Sequence, residues 1–194
     1  MSFYPANVRE RCESPRRSGV VEGENASGKD ANFQCGSFLR FSVRIDPVSK
    51  RVAAVGFQTN GCGYMIAAAD VLAGAVADKP LGELHGLAHG DLWTIVDDAL
   101  GGAGQNRQQC AECGIRALRA AFSDFRASQI DEFRGEKALI CTCFGVTEET
   151  IEQLIQAGSH KSVDAVTSAC NAGGGCGSCR MLIQEMLDGS EFQL

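Results

Sequence analysis

Apolar and polar positions alternate along residues 38–45 (FLRFSVRI), where Leu39, Phe41, Val43 and Ile45 oppose Arg40, Ser42 and Arg44. A period of two is that of a strand with one face on a core and the other toward water. Asp46-Pro47-Val48-Ser49-Lys50 is turn chemistry, and residues 51–59 (RVAAVGFQT) read as a second strand. Together they predict an antiparallel hairpin with a longer loop. Past Gly61-Cys62-Gly63 the period becomes helical, with Met65, Ala69, Leu72 and Val76 on one face. A further helix is predicted from about Gln108 to Asp124 on the stripe Ala111, Ile115, Leu118 and Phe122. Leu92, Ile95, Val96 and Leu100 surround Trp93 at helical spacing and give it a core role. Strands first and helices after predict an α+β domain with an antiparallel sheet.

The remainder reads as small and helical. Thr147 is a good N-cap for a helix carrying Ile151, Leu154 and Ile155, and Gly158 is a natural stop. Ser162 caps a short helix with Val163 and Val166, and a last helix after Cys179 carries Met181, Leu182, Met186 and Leu187. Residues 125–137 (FRASQIDEFRGEK) mix charges without periodicity, as a linker or a frayed helix end does. The expected organisation is a first domain over 1–125, a linker over 126–137 and a second domain over 138–194. A domain of about 55 residues is marginal for an independent core, so a bound metal would supply needed stability.

Composition narrows the function. At 44% hydrophobic and 22% charged residues, the chain is ordinary globular material. A net charge of −6 argues against a nucleic-acid partner held by phosphate neutralisation. Residues 1–125 hold 13 basic and 14 acidic side chains, whereas 126–194 hold 5 and 10, so the negative charge sits mainly in the second part. The longest apolar run, 65–77, is interrupted by Asp70 and falls short of the roughly 20 residues that span a bilayer. The N-terminal MSFYPANVRERCESPRR lacks the apolar stretch of a signal peptide. The expectation is a soluble cytoplasmic protein with no membrane or nucleic-acid partner. Arg9, Arg11, Arg16 and Arg17 read as a solvated charged face, and His85 and His89 as surface or packing residues. No Ser/His/Asp order, P-loop or dinucleotide fingerprint is visible.

Ten cysteines are the dominant chemical feature. Clustered thiols in a reducing compartment are metal ligands more often than disulfides. Cys141-Thr142-Cys143 and Cys176-Gly177-Ser178-Cys179 form two close pairs, and four thiolates hold either a tetrahedral zinc or a 2Fe–2S cluster. Gly173-Gly174-Gly175 and Gly177 favour the cluster, because glycine lets backbone N–H groups approach bridging sulfides. Cys170 stands outside this pattern and reads as a buried small hydrophobe. In the first part, Cys35 precedes a strand, Cys62 precedes a helix and Cys110 lies near the start of another. Thiols at such starts converge at one end of an α+β domain, and a helix N-terminus favours the thiolate.

The order C-x-C-F, a helix pair and A-G-G-G-C-x-x-C, over residues 138–187, resembles the bacterioferritin-associated ferredoxin domain, also the central module of NifU scaffolds. That resemblance implies a stable, redox-active 2Fe–2S cluster on Cys141, Cys143, Cys176 and Cys179. Residues 4–19 (YPANVRERCESPRRSG), the F-Q-C-G of 33–36, the F-Q-T-N-G-C-G of 57–63 and the Cys110 helix resemble IscU/NifU scaffolds in order and spacing. Such proteins assemble 2Fe–2S clusters from iron and desulfurase-delivered sulfur and pass them on. The likeness implies Cys35, Cys62 and Cys110 as ligands of iron or a labile 2Fe–2S cluster, with zinc as an alternative occupant. It also implies a cysteine desulfurase and apo iron–sulfur acceptor proteins as partners, and a homodimer. The whole chain resembles a NifU without its C-terminal Nfu-like module.

Three departures bear on the first site. The family's aspartate in C-G-D is Ser37, the histidine before its third cysteine is Gln109, and residues 101–107 (GGAGQNR) lack a proline pair offered to a chaperone. Against these stands Cys113, which shares a helical face with Cys110 at i, i+3 and permits a four-thiol site. The leading expectation is therefore an iron–sulfur scaffold or carrier. The alternative is an electron-transfer protein that serves a redox partner through its C-terminal cluster and keeps a degenerate or stable N-terminal site.

Overall fold

A computed structural model describes residues 4–85, 87–102, 107–132, 138–158 and 160–191. It divides into two compact units, Met1–Phe125 and Arg126–Leu194. The first is built from α1 (Ala6–Glu13), β1 (Ala26–Asn32), β2 (Ser37–Ile45), β3 (Val52–Thr59), α2 (Gly63–Val76), α3 (Leu81–His85), α4 (His89–Leu100) and α5 (Gln108–Glu132). The alternating strand and its hairpin partner form as the periodicity predicts, with Phe41 opposite Phe57 and Val43 opposite Val55. Leu39, Phe41, Val43 and Ile45 are fully buried.

The sheet has a third strand that the hydropathy pattern does not announce. β1 pairs antiparallel with β2, giving the order β1-β2-β3. Its sequence, ASGKDAN, has none of the β-branched or aromatic residues that mark strands, so tertiary pairing makes it one. Gly28 shows how: a Cβ built there would lie 2.1 Å from the Ala121 nitrogen and 2.3 Å from the Ala117 oxygen. The strand backbone thus lies directly on α5. The Ser27 N–H donates to Asp124 at 2.9 Å and Arg116 pairs with Asp30 at 2.8 Å along the same seam. Gly114 on α5 leaves similar room for Leu72 of α2, which fixes that helix against the same core.

The N-terminal segment is held by one buried carboxylate. Asp70 on α2 is 2% exposed and accepts from the Arg16 and Arg17 N–H groups at 2.8 and 3.2 Å and from the Arg11 guanidinium at 3.2 Å. Burying that charge is tolerable because it is paired and hydrogen-bonded. Part of the arginine cluster is therefore an anchor and not a solvated face. Beyond it, the Gly19 N–H donates to Phe57 at 2.8 Å and the Phe57 N–H to Arg17 at 3.0 Å, covering the open edge of β3.

α5 continues to Glu132, past the end expected at Asp124 and into the stretch read as a linker or frayed end. No glycine or proline intervenes before Gly135, so nothing stops the helix. Residues 133–137 of that stretch, and 103–106 of the segment without a proline pair, lie outside the described residues.

The second unit begins with a short hairpin of β4 (Leu139–Cys141) and β5 (Val146–Thr147), too brief to show a period. Three helices follow: α6 (Glu148–Gln156), α7 (Val163–Cys170) and α8 (Arg180–Glu191). Thr147 and Ser162 cap as expected, their hydroxyls accepting from the Thr150 and Ala165 N–H groups. Phe144, Ile151, Val166 and Ile183 are buried as its core. The molecule is thus an α+β domain followed by a small helical one. Among the described residues no helix is long and apolar enough to cross a membrane.

The seam between β1 and α5 makes a prediction. Gly28→Ala should cost about 3 kcal/mol or more, since the added methyl meets backbone and not a yielding side chain. Gly90→Ala, in open space on α4, should stabilise by about 0.5–1 kcal/mol through helix propensity. Denaturant midpoints of the two variants check both signs.

Candidate metal centres

Three of the N-terminal cysteines gather where the strands and helices begin. Cys62 is the N-cap of α2, Cys110 lies in the first turn of α5, and their sulfurs are 3.8 Å apart. Cys35 sits in the turn from β1 to β2, close enough for its charge to act on both. Exposure falls in order through the three: Cys35 is exposed, Cys62 half-buried and Cys110 buried. The site is therefore a funnel with Cys35 at its mouth.

The Cys62 and Cys110 sulfurs form one hydrogen-bonded pair. The Cys110 thiol donates to Cys62 and holds it well below the ordinary thiol range, with the Met65 and Tyr64 N–H groups of α2 assisting. Cys110 is driven upward by the same bond and by burial. Arg107, whose guanidinium lies 5.1 Å from the Tyr64 ring centre, opposes the accumulation of negative charge at both sulfurs. Tyr4 closes the far side, its hydroxyl accepting from the Gly63 N–H at 3.1 Å.

The substituted positions are occupied otherwise. Ser37 lies 3.2 Å from Cys35 Sγ through its hydroxyl, and Gln109 accepts from the Asn32 amide at 3.5 Å. Cys113 is fully buried one turn along α5, and its partner is Asp30, itself paired with Arg116. Burial first, then Asp30, pushes the Cys113 thiol up to about 12. Cys113 feels the charge of Cys35 as Cys110 does, but its hydrogen-bond partner is Asp30. Neither Asp30 nor Arg107 carried a signal in the sequence, since each lies in an unexceptional polar run.

In the second unit, Cys141 ends β4, Cys143 lies in the β4–β5 turn, and Cys176 and Cys179 occupy the turn before α8. Cys143 Sγ lies 3.4 Å from Cys176 Sγ, and the Cys141 and Cys179 thiols are hydrogen-bonded to each other. Cys141, Cys143 and Cys179 are buried and Cys176 alone is exposed. Burial pushes Cys179 up to about 11 and raises Cys143 too, while the Ser178 hydroxyl and then Cys143 lower Cys176. Thr167 pins the glycine-rich approach, donating to the Ala172 oxygen at 2.7 Å. Cys170, half-buried, bonds back to Val166 within its own helix and takes no part.

The two exposed cysteines occupy matching turns. Cys35-Gly36-Ser37 and Cys176-Gly177-Ser178 each place the glycine at positive φ, +69° and +77°, and the serine hydroxyl 3.2 and 3.3 Å from the sulfur. Only glycine adopts that conformation without strain, and it leaves the sulfur projecting. Among the described residues no three Cys, His, Asp or Glu side chains close around a single point, as one ion would need. The C-terminal thiols form two pairs instead. Soft thiolates in two pairs, three of them buried, suit a cluster with two irons and fit the group that the glycine-rich turn suggests.

Known proteins match this arrangement along the chain. Residues 3–132 match the model of the NifU-like N terminal domain, and residues 139–189 that of the BFD-like [2Fe-2S] binding domain. The Nitrogen fixation protein NifU of Azotobacter chroococcum mcd 1 is 30% identical over 95% of this chain and 58% of its own length. The Iron-sulfur cluster assembly scaffold protein IscU of Aquifex aeolicus (strain VF5) is 31% identical over 66% of this chain and 80% of its own. A NifU-like protein (N-terminal) from Brucella abortus shares the fold, with a TM-score of 0.50 at 12% identity over 63% of this chain and 94% of that one. The chain spans about six-tenths of the length of the NifU proteins it matches. It belongs to the NifU-like N terminal domain family, and carries a BFD-like [2Fe-2S] binding domain behind that scaffold fold.

Proposed function

We propose that this chain is an iron–sulfur scaffold and carrier with one exchangeable and one resident site. The observation that carries the proposal is the contrast in exposure. Of Cys35, Cys62 and Cys110 in the first unit one is exposed, one half-buried and one buried, whereas of the four paired cysteines in the second three are buried. Cargo must enter and leave, so the open funnel of Cys35, Cys62 and Cys110 suits iron and an assembling 2Fe–2S cluster as substrate. Sulfur would come from a cysteine desulfurase, and apo iron–sulfur proteins would receive the product, as the names and resemblance of the scaffold relatives support. Cys35 at the mouth receives the metal, Cys62 supplies the readiest thiolate, and Cys110 closes the ligand set from the core.

Cys113 stands outside that set on this reading, because its thiol is buried against Asp30. Cys141, Cys143, Cys176 and Cys179 would hold the resident 2Fe–2S cluster, which supplies one-electron redox chemistry when bound. The three buried sulfurs would shield the group from water, and the exposed Cys176 would leave it accessible to a redox partner.

Two outcomes check the assignment in the full chain. Cys35→Ser, Cys62→Ser and Cys110→Ser should each lower total iron after anaerobic reconstitution by about half, since the two clusters hold equal iron. The reducible C-terminal spectrum should persist in each, and Cys113→Ser should retain full iron. Unchanged iron in all three cysteine variants would overturn the scaffold reading. In the metal-free chain at neutral pH, iodoacetamide should modify Cys35 and Cys176 first and Cys113 at least about tenfold more slowly, because the exposed thiolate is the nucleophile. Residue-resolved mass spectrometry reads that order.

A further inference from the structure

The backbone pairing between β2 and β3 ends at Leu39 opposite Thr59, one step short of the two cysteine turns. The next rung would set Phe38 against Asn60. Side chains make it instead. The Phe38 N–H donates to the Asn60 side-chain oxygen at 2.8 Å, and the Thr59 hydroxyl donates to the Phe38 oxygen. The same hydroxyl accepts from the Gly61 N–H at 2.9 Å and lies 3.1 Å from Met65 Sδ. Both main-chain groups of Phe38 are thereby taken by the dipeptide that leads into Cys62.

We propose that Thr59 and Asn60 are positioning residues that fix the Cys35 turn against the Cys62 turn. The proposal rests on the reading of Cys35 and Cys62 as ligands of the cargo site. Phe38 is three residues from Cys35, and Asn60 is two from Cys62. A clamp at that point sets the separation of two sulfurs that no backbone hydrogen bond joins. Neither Thr59 nor Asn60 is a ligand. Thr59 is half-buried and Asn60 exposed, so their bonds, and not core packing, are what substitution removes. A metal bound by both turns gains from a spacing that is already set, as with other groups that orient ligands from behind.

The test uses the full metal-free chain, Co²⁺ as probe, and protection of each cysteine from alkylation as the readout. Thr59→Val keeps the branched shape and removes the hydroxyl, Thr59→Ser keeps the hydroxyl, and Asn60→Leu removes the acceptor at an exposed position. Thr59→Val and Asn60→Leu should each raise the Co²⁺ concentration protecting Cys35 and Cys62 by about tenfold, the scale of one or two lost hydrogen bonds. Thr59→Ser should stay within about threefold of the parent. Protection of Cys141, Cys143, Cys176 and Cys179 should not move, which separates lost positioning from general unfolding. A parent-like midpoint at Cys35 and Cys62 in a folded Thr59→Val or Asn60→Leu chain would overturn the clamp, as would a Thr59→Ser chain as weak as Thr59→Val. Absence of protection at Cys35 and Cys62 in the parent would instead overturn the ligand reading and the clamp with it. If Thr59→Val does not fold, Asn60→Leu decides alone.

Discussion

The backbone of β1 lies against the backbone of α5 at Gly28, with no side chain between them, and the first unit depends on that contact. It sets the height of α5 above the sheet to within a fraction of a methyl group. Because α5 also passes over Leu72 through Gly114, one helix is registered against both the sheet and α2. The 3.8 Å between Cys62 and Cys110 is a consequence, since one sulfur belongs to the start of α2 and the other to the start of α5. Close packing of this kind does not deform gradually, so the distance between the two thiols is as fixed as the core.

The same seam explains the fate of the polar residues on it. From Gly28 the inward positions of β1 run through Asp30 to Asn32, and each meets α5: Asp30 takes Arg116 and Cys113, and Asn32 takes Gln109. Cys113, which the sequence offers toward a metal, and Gln109, which stands where the family has a histidine, are thus engaged by the strand. The cost of leaving a buried polar group unpaired favours those partners whenever no metal is bound.

Electrostatics then distinguishes the two sites. At the first, helix N–H groups and Arg107 offset the charge of Cys62, and an exposed thiol stands at the mouth. At the second, burial raises two of the buried thiols, and four sulfurs in two pairs need positive charge from iron to ionise together. A metal bound by that arrangement would add folding energy to a small helical unit. Both units nevertheless present their exposed cysteine on one device, a Cys-Gly-Ser turn with the hydroxyl on the sulfur.

Read without coordinates, the chain already determines a good deal. The period of two over residues 38–45, the switch to helical period after Gly63, the caps at Thr147 and Ser162, and the cysteine spacings are local or near-local signals. They suffice for the β2–β3 hairpin, the main helices and the α+β class, and they single out the cysteines that the structure pairs as Cys62 with Cys110 and Cys143 with Cys176. Strand β1, the anchoring of the arginines by Asp70 and the engagement of Cys113 by Asp30 were decided by tertiary structure alone. Each depends on a partner distant in the chain, 53 to 59 residues from Asp70 to its arginines and 83 from Asp30 to Cys113, and hydropathy periodicity carries no term for such pairs. Cys113 shows the limit most clearly: its spacing from Cys110 places it on the right face of the helix, but a carboxylate on a strand with no strand signature determines what its sulfur touches.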